Sequence, residues 1–217
     1  MKLAVFDVCG TLYRANTMFA FVDAYCRDRR GYAAFRKLRG SRPARLANAA
    51  LHRLTGRDVF RAWTLRWLAG APAAELAACG ERLVQGALAG LALGPVTALL
   101  HRLRQDGYTI ALASGSLDLV VRPAAEALGA AHWAAATLRY TERGVASGRL
   151  QQDLLLAKRE WVMASFRDLE RLVVVTDNKT DRPLVELADE AYAVTVSERD
   201  RRFWTAIGHP MLTLLEV

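Results

Sequence analysis

The 217 residues carry 30 Lys and Arg against 22 Asp and Glu, a formal net charge of +8, and 53% of them are hydrophobic. This is the composition of a soluble globular protein with room for one large domain or a core plus an insertion, and it excludes a chain unable to bury a core. Cys9, Cys26 and Cys79 show no paired spacing, which argues against a disulfide framework or a zinc site, and no charged-then-apolar leader precedes the first apolar run, so the expected compartment is the cytoplasm.

The chain opens with Lys2-Leu3-Ala4-Val5-Phe6-Asp7-Val8-Cys9-Gly10-Thr11-Leu12. A short apolar run bounded by polar turn residues reads as a buried parallel strand, and open α/β sheets place their chemistry beyond the carboxyl ends of such strands. Asp7 stands at that end. A carboxylate there can attack phosphorus if a cation offsets the repulsion between anions, and Gly10 lets the backbone turn so that amides face phosphoryl oxygens. The plainer alternative is that Asp7 caps a turn.

Residues 16–88 show no strand-like alternation and are rich in Ala, Leu and Arg at helical spacing, which predicts a helical insertion. Eight Lys and Arg lie between Arg27 and Arg45, interrupted by Tyr32 and Phe35. The first reading of that run is a solvated helix face, and the second is weak attraction to an anionic substrate or lipid surface. No nucleic-acid-binding module accompanies the charge, which argues against nucleic acid. Trp63 and Trp67 stand one helical turn apart and read as core of the insertion rather than as a substrate wall. Tyr13 and Arg14 are placed near the cleft between insertion and core.

Leu83 to Leu100 runs 18 positions without a charge, the lower limit for a membrane span, but Gly94-Pro95 in its midst predicts a hinge followed by a buried helix. The pattern then alternates. A helix to Asp106 is followed by a strand Tyr108–Ala113, a helix after Ser116, a strand His132–Thr137 and a hairpin-like stretch Leu138–Leu150. A helix through Lys158 and Trp161, a strand Leu172–Val175, a helix from Arg182 and a short strand Ala191–Val194 complete it. Alternating strands and helices of this length imply a parallel sheet. The predicted fold is an α/β Rossmann-like core over 1–15 and 89–217 with a helical cap over 16–88. His52, His101, His132 and His209 show no ligand spacing, and nothing in the sequence sets an oligomeric state.

Three further positions bear on chemistry. Ser114-Gly115 ends a strand, Lys158 lies on a helix after Gly148, and Leu172-Val-Val-Val-Thr-Asp177-Asn-Lys-Thr-Asp181 is an apolar strand ending in two carboxylates four residues apart. Each has a plain alternative: an ordinary turn, a solvated lysine, an N-cap at Asp181 for the helix from Arg182. Taken with Asp7, their order and spacing resemble the motifs of the haloacid dehalogenase-like hydrolases. The insertion directly after the first motif, and the stretch Gly144 to Leu150 before the Lys-bearing helix, look like the phosphoserine phosphatase-like branch.

That resemblance implies a phosphomonoester hydrolase for a small phosphorylated substrate, working through an aspartyl-phosphate. It casts Asp7 as nucleophile, Ser114 and Gly115 with Lys158 as the phosphoryl-binding group, and Asp7, the backbone carbonyl of Cys9, Asp177 and Asp181 as ligands of Mg²⁺, which favours hard oxygen donors. Asp181 is expected to bind directly or through a water. Cys9 departs from the pattern, since most phosphatases of the family carry a second Asp there as acid and base. A thiol with a pKa near ~8.5 is a weak acid and no charged base at neutral pH, and loss of such help commonly costs ~10² to 10⁴ in rate. A slow enzyme, a phosphotransferase with a persistent phosphoenzyme, a lipid-phosphate phosphatase and a phospholigand-binding protein remain open alternatives. Dehalogenase members also replace the second Asp but lose the first carboxylate of the last motif, and this chain keeps Asp177.

Overall fold

The computed structural model describes residues 1–55 and 58–217, without the side chain of His52. In chain order, β1 (Lys2–Phe6) leads into α1 (Thr17–Tyr25), α2 (Tyr32–Gly40), α3 (Arg42–Thr55), α4 (Val59–Arg66) and α5 (Ala73–Leu83). A π-helical turn Val84–Leu88 and a 3₁₀ turn Ala89–Leu91 join α5 to α6 (Gly94–Gln105). Then follow β2 (Thr109–Leu117), α7 (Asp118–Leu128), β3 (His132–Tyr140), β4 (Ala146–Gln152) and α8 (Lys158–Ser165). The chain closes with β5 (Arg171–Thr176), the short α9 (Arg182–Val185), β6 (Glu190–Thr195), α10 (Glu198–Thr205) and β7 (Leu212–Glu216).

The seven strands form one sheet in the order β4-β3-β2-β1-β5-β6-β7, parallel throughout except for β4 against β3. Leu3–Phe6, Ile110–Ala113 and Leu172–Val175 of the central strands are apolar without a break because both of their faces are covered. Residue parity sorts the contacts. Ala4, Phe6, Ile110, Leu112, Val173 and Val175 face a core shared with α1, α5, α6 and α7, whereas Leu3, Val5, Ala111, Leu172 and Val174 face Val162 of α8, Leu184 of α9 and Trp204 of α10. The chain runs outward from β1 to β4 and then returns to lay β5 on the other side of β1. Strand order therefore reverses at β1, and the crevice beyond its carboxyl end is where such sheets bind ligands.

The elements differ from the sequence reading at their edges. The hairpin-like stretch resolves into an extension of β3 to Tyr140 and an antiparallel edge strand, β4. The helix expected from Arg182 is a single turn, and α10 and β7 were not anticipated. Gly94-Pro95 begins α6 with proline in its first turn, and among the described residues no helix is long and apolar enough to cross a membrane.

In the inserted segment, Phe21 and Val22 of α1 and Leu76 and Leu83 of α5 are buried in the same cluster as the sheet, so those helices share the core's interior. Trp67 packs edge-on against Tyr32 and at a tilt against Phe35, at ring distances of 5.1 and 5.7 Å, but Trp63 is 44% exposed and does not belong to that cluster. Nor is the basic run uniformly solvated: Arg39 pairs with Asp23 at 2.8 Å and covers the ring of Phe19, and Arg29 donates to the Trp67 carbonyl. Tyr13 is buried in the core.

Candidate active site

Asp7 is the first residue beyond β1. Its N–H donates to the Val175 carbonyl at 2.9 Å, which carries the β1–β5 ladder one residue further and holds the carboxylate at the strand exit. Lys158, the first residue of α8, is 2% exposed, and its Nζ lies 2.9 Å from Asp7 Oδ2 and 2.6 Å from Asp181 Oδ2. The solvated-lysine alternative is thereby excluded. Burial works against the ammonium, but Asp7 and Asp181 outweigh it and raise its pKa, so Lys158 is a fixed positive charge.

Asp181 occupies the N-cap position of α9, yet its side chain caps nothing. Oδ2 instead accepts from Lys158 Nζ and from Thr176 Oγ1, each at 2.6 Å, while Oδ1 is buried without a partner among the described residues. Burial first, and Asp7 after it, push this acid up to about 6 against the pull of Lys158. Asp177 is tied to the first motif by Thr11, whose hydroxyl donates to Asp177 Oδ1 at 2.8 Å and accepts from the Asp177 N–H at 2.9 Å. Burial and the charge of Asp7 raise Asp177 to about 7. Gly10 makes the approach possible, because at φ +71° a Cβ there would sit 2.2 Å from Asp177 Oδ2.

Ser114 is buried within β2, whose register sets Leu112 beside Phe6. By that register it stands one residue beyond the level of Asp7 on the adjacent strand. Its Oγ accepts from the Ser116 N–H at 3.2 Å. The Gly115 carbonyl accepts from Arg61 Nη2 of α4 at 2.9 Å, and a Cβ on Gly115 would meet Leu155 at 2.9 Å.

Cys9 points its sulfur at α1. Sγ lies 2.8 Å from Thr17 Oγ1 and accepts from the Thr17 N–H at 3.3 Å, while Thr17 Oγ1 donates to Ser116 Oγ at 2.8 Å. A hydroxyl has one proton to give, so the thiol is the donor in the Cys9–Thr17 contact. Burial, and secondarily the charge of Asp7, raise the thiol pKa and keep it protonated. The sequence reading assigned no role to Thr11, Thr17, Ser116, Thr176 or Arg61. Only Thr11, inside the Gly-Thr turn, carried a local signal.

Three carboxylates share one ammonium here, and burial together with the charge of Asp7 raises the pKa of Asp177. The hard oxygen donors, the unpartnered Asp181 Oδ1 and the space that Gly10 leaves beside Asp177 fit a small divalent cation. Among the described residues no three His, Cys, Asp or Glu side chains stand together as a ready-made metal cluster, since Lys158 holds Asp7 and Asp181 while Thr11 holds Asp177.

A cavity of about 780 Å³ opens between α4, β4 and the segment entering α8; Asp7, Ser114, Lys158 and Asp177 do not line it, and Arg61 links its wall to Gly115. Arg61, Arg66, Arg149 and Glu160 line it with Leu65 and Leu155. Arg61 spans it, forming a two-point ion pair with Asp153 in addition to its bond to Gly115.

Comparison with known proteins agrees with this fold. No curated protein sequence matches the chain. A protein of unknown function from Bordetella pertussis Tohama I has the same fold at a TM-score of 0.76 and 19% identity, over 99% of this chain and 97% of that one. A phosphoserine phosphatase, described as a phospho-aspartyl intermediate analogue, aligns at 0.62 and 18% over 93% and 90%. Cytosolic 5'-nucleotidase IIIB bound to cytidine aligns at 0.66 and 12% over 99% and 80%. The family model that matches, over residues 4–186, is that of the haloacid dehalogenase-like hydrolases, and it spans the strand exits that hold Asp7, Ser114 and Asp177: this chain belongs to that family.

Proposed function

We propose that the chain is a Mg²⁺-dependent phosphomonoester hydrolase acting on a small phosphorylated metabolite in the cytoplasm. The observation that carries this reading is the ammonium of Lys158 held between Asp7 and Asp181, with Asp177 behind Gly10, at the point where strand order reverses. The phosphoserine phosphatase and 5'-nucleotidase structures that share the fold support it.

Asp7 attacks phosphorus, the bond to the leaving oxygen breaks, and water then opens the aspartyl-phosphate to release inorganic phosphate and restore the carboxylate. Lys158 offsets the charge of the nucleophile as the phosphoryl group approaches, and Ser114 and Gly115 hold the phosphoryl oxygens. Asp7, the Cys9 carbonyl and Asp177 would hold Mg²⁺, with Asp181 binding directly or through a water. When bound, the cation supplies positive charge against the developing anionic charge on phosphorus. In this reading the organic part of the substrate would occupy the cavity lined by Arg61 and Leu155, and the cap proposed for 16–88 would close over it.

Cys9 favours slow turnover. Its proton is committed to Thr17, and a protonated thiol is no base for water. The same feature supports a second reading, a phosphotransferase whose phosphoenzyme outlives hydrolysis until an acceptor arrives. The test is hydrolysis of p-nitrophenyl phosphate with and without Mg²⁺. Activity that needs Mg²⁺ and disappears in Asp7→Asn is expected, and equal rates in wild type and Asp7→Asn would overturn the mechanism.

A further inference from the structure

We propose that the surface of α2 and α3 is a docking surface for an anionic lipid bilayer, a property independent of the catalytic reading. The segment from Arg29 to Arg57 contains nine Lys and Arg and no Asp or Glu. Arg29 and Arg39 are spent inward, on the Trp67 carbonyl and Asp23. Lys37, Arg42, Arg45 and Arg53 are exposed and form no ion pair among the described residues.

Among the described residues, the leucines of α3 join neither core cluster. α1 and α5 each bury four residues, but α3 buries none of those described along its 14. Leu46 is 72% and Leu54 84% exposed, and Leu38 at the end of α2 is 51% exposed. Leu46, Ala50 and Leu54 stand four residues apart on one stripe of the helix, and Arg45, Ala49 and Arg53 form the neighbouring stripe. The leucine stripe is about 12 Å long at 1.5 Å per residue. An apolar stripe flanked by arginines on a helix without acidic residues is the pattern of helices that lie in the plane of a membrane interface, with leucines among the acyl chains and guanidinium groups at the headgroups.

A bilayer fits these observations better than the other occupants. A second copy of the chain, docked through a two-fold axis, would set one arginine stripe against another with no carboxylate in either α2 or α3 to offset it. A nucleic acid would pair with the arginines but leave the leucines in water.

The test is co-sedimentation of the full chain with vesicles of phosphatidylcholine alone or mixed with phosphatidylglycerol. Binding at low salt to the anionic vesicles only, and its loss at high salt, is the expected result. Replacing Arg42, Arg45 and Arg53 together by Gln should weaken partitioning by about 10²-fold, from roughly a fivefold step per charge. Leu46→Ser with Leu54→Ser should weaken it by about tenfold or more. All five side chains are exposed, so the melting temperature serves as the control for folding. Several outcomes would overturn the proposal: equal binding to neutral vesicles, no binding at low salt, or full affinity in the leucine variant. A lipid-free dimer that the leucine variant abolishes would reassign the stripe to self-association. RNA binding that depends on the arginines alone, without vesicle binding, would reassign it to nucleic acid.

Discussion

At position 10 one methyl group is enough to disturb the centre. Gly10 holds a positive φ that other residues adopt only at a cost, and a Cβ there would overlap the Asp177 carboxylate at 2.2 Å. Gly10→Ala should therefore push Asp177 away from the first motif, and a loss of Mg²⁺ activation larger than any fall in melting temperature is the expected result. Cys9 poses a different question. Its sulfur already accepts from the Thr17 N–H, a donor that would serve a carboxylate equally well. Cys9→Asp should accordingly raise p-nitrophenyl phosphate turnover by a factor within the ~10² to 10⁴ span of general acid–base catalysis, and Cys9→Ala should change little. An unchanged rate in Cys9→Asp, with Asp7 still required, would show that leaving-group protonation does not limit the reaction.

Among the elements, α4 is fastened directly across the cavity. Arg61 reaches Asp153 and the Gly115 carbonyl, and its hydrogen bonds hold the Asp153 carboxyl below its usual range although burial opposes this. Arg61→Ala should release that contact, worth about 1 kcal/mol for a partly exposed pair, and speed proteolytic cutting within 16–88 roughly fivefold under conditions of fast reclosing. Unchanged cutting would mean that other contacts hold α4. None of this was legible in the sequence, because an arginine on a helix looks solvated until its partner, 92 residues away, is placed beside it. The central strands were legible for the opposite reason: burial on both faces leaves an uninterrupted apolar run. The half-exposed edge strand β7 and the charged α10 give no such run. Lys158 stood in the expected order, but its burial depends on Asp7, which the fold alone brings to it.

For the molecule as a whole, the excess of buried negative charge couples stability to pH and to the metal. Asp177 sits at about 7 in the folded protein and near ~3.9 when unfolded, so folding disfavours its ionised form. The sign follows directly: as pH rises from about 4 through 7, the unfolded state releases the proton first and metal-free stability falls. A bound cation offsets that loss only where the carboxylates are ionised, because at lower pH protons compete for the same oxygens. The metal-free melting temperature should thus be lower at pH 8 than at pH 5.5. Mg²⁺ at about 100 times its dissociation constant adds ~2.7 kcal/mol, which for a chain of this size corresponds to roughly 5–10 °C at pH 8 and much less at pH 5.5. In Asp177→Asn both the pH dependence and the Mg²⁺ shift should shrink together. A Mg²⁺ shift of equal size at the two pH values, or one that survives in Asp177→Asn, would place the cation elsewhere on the protein.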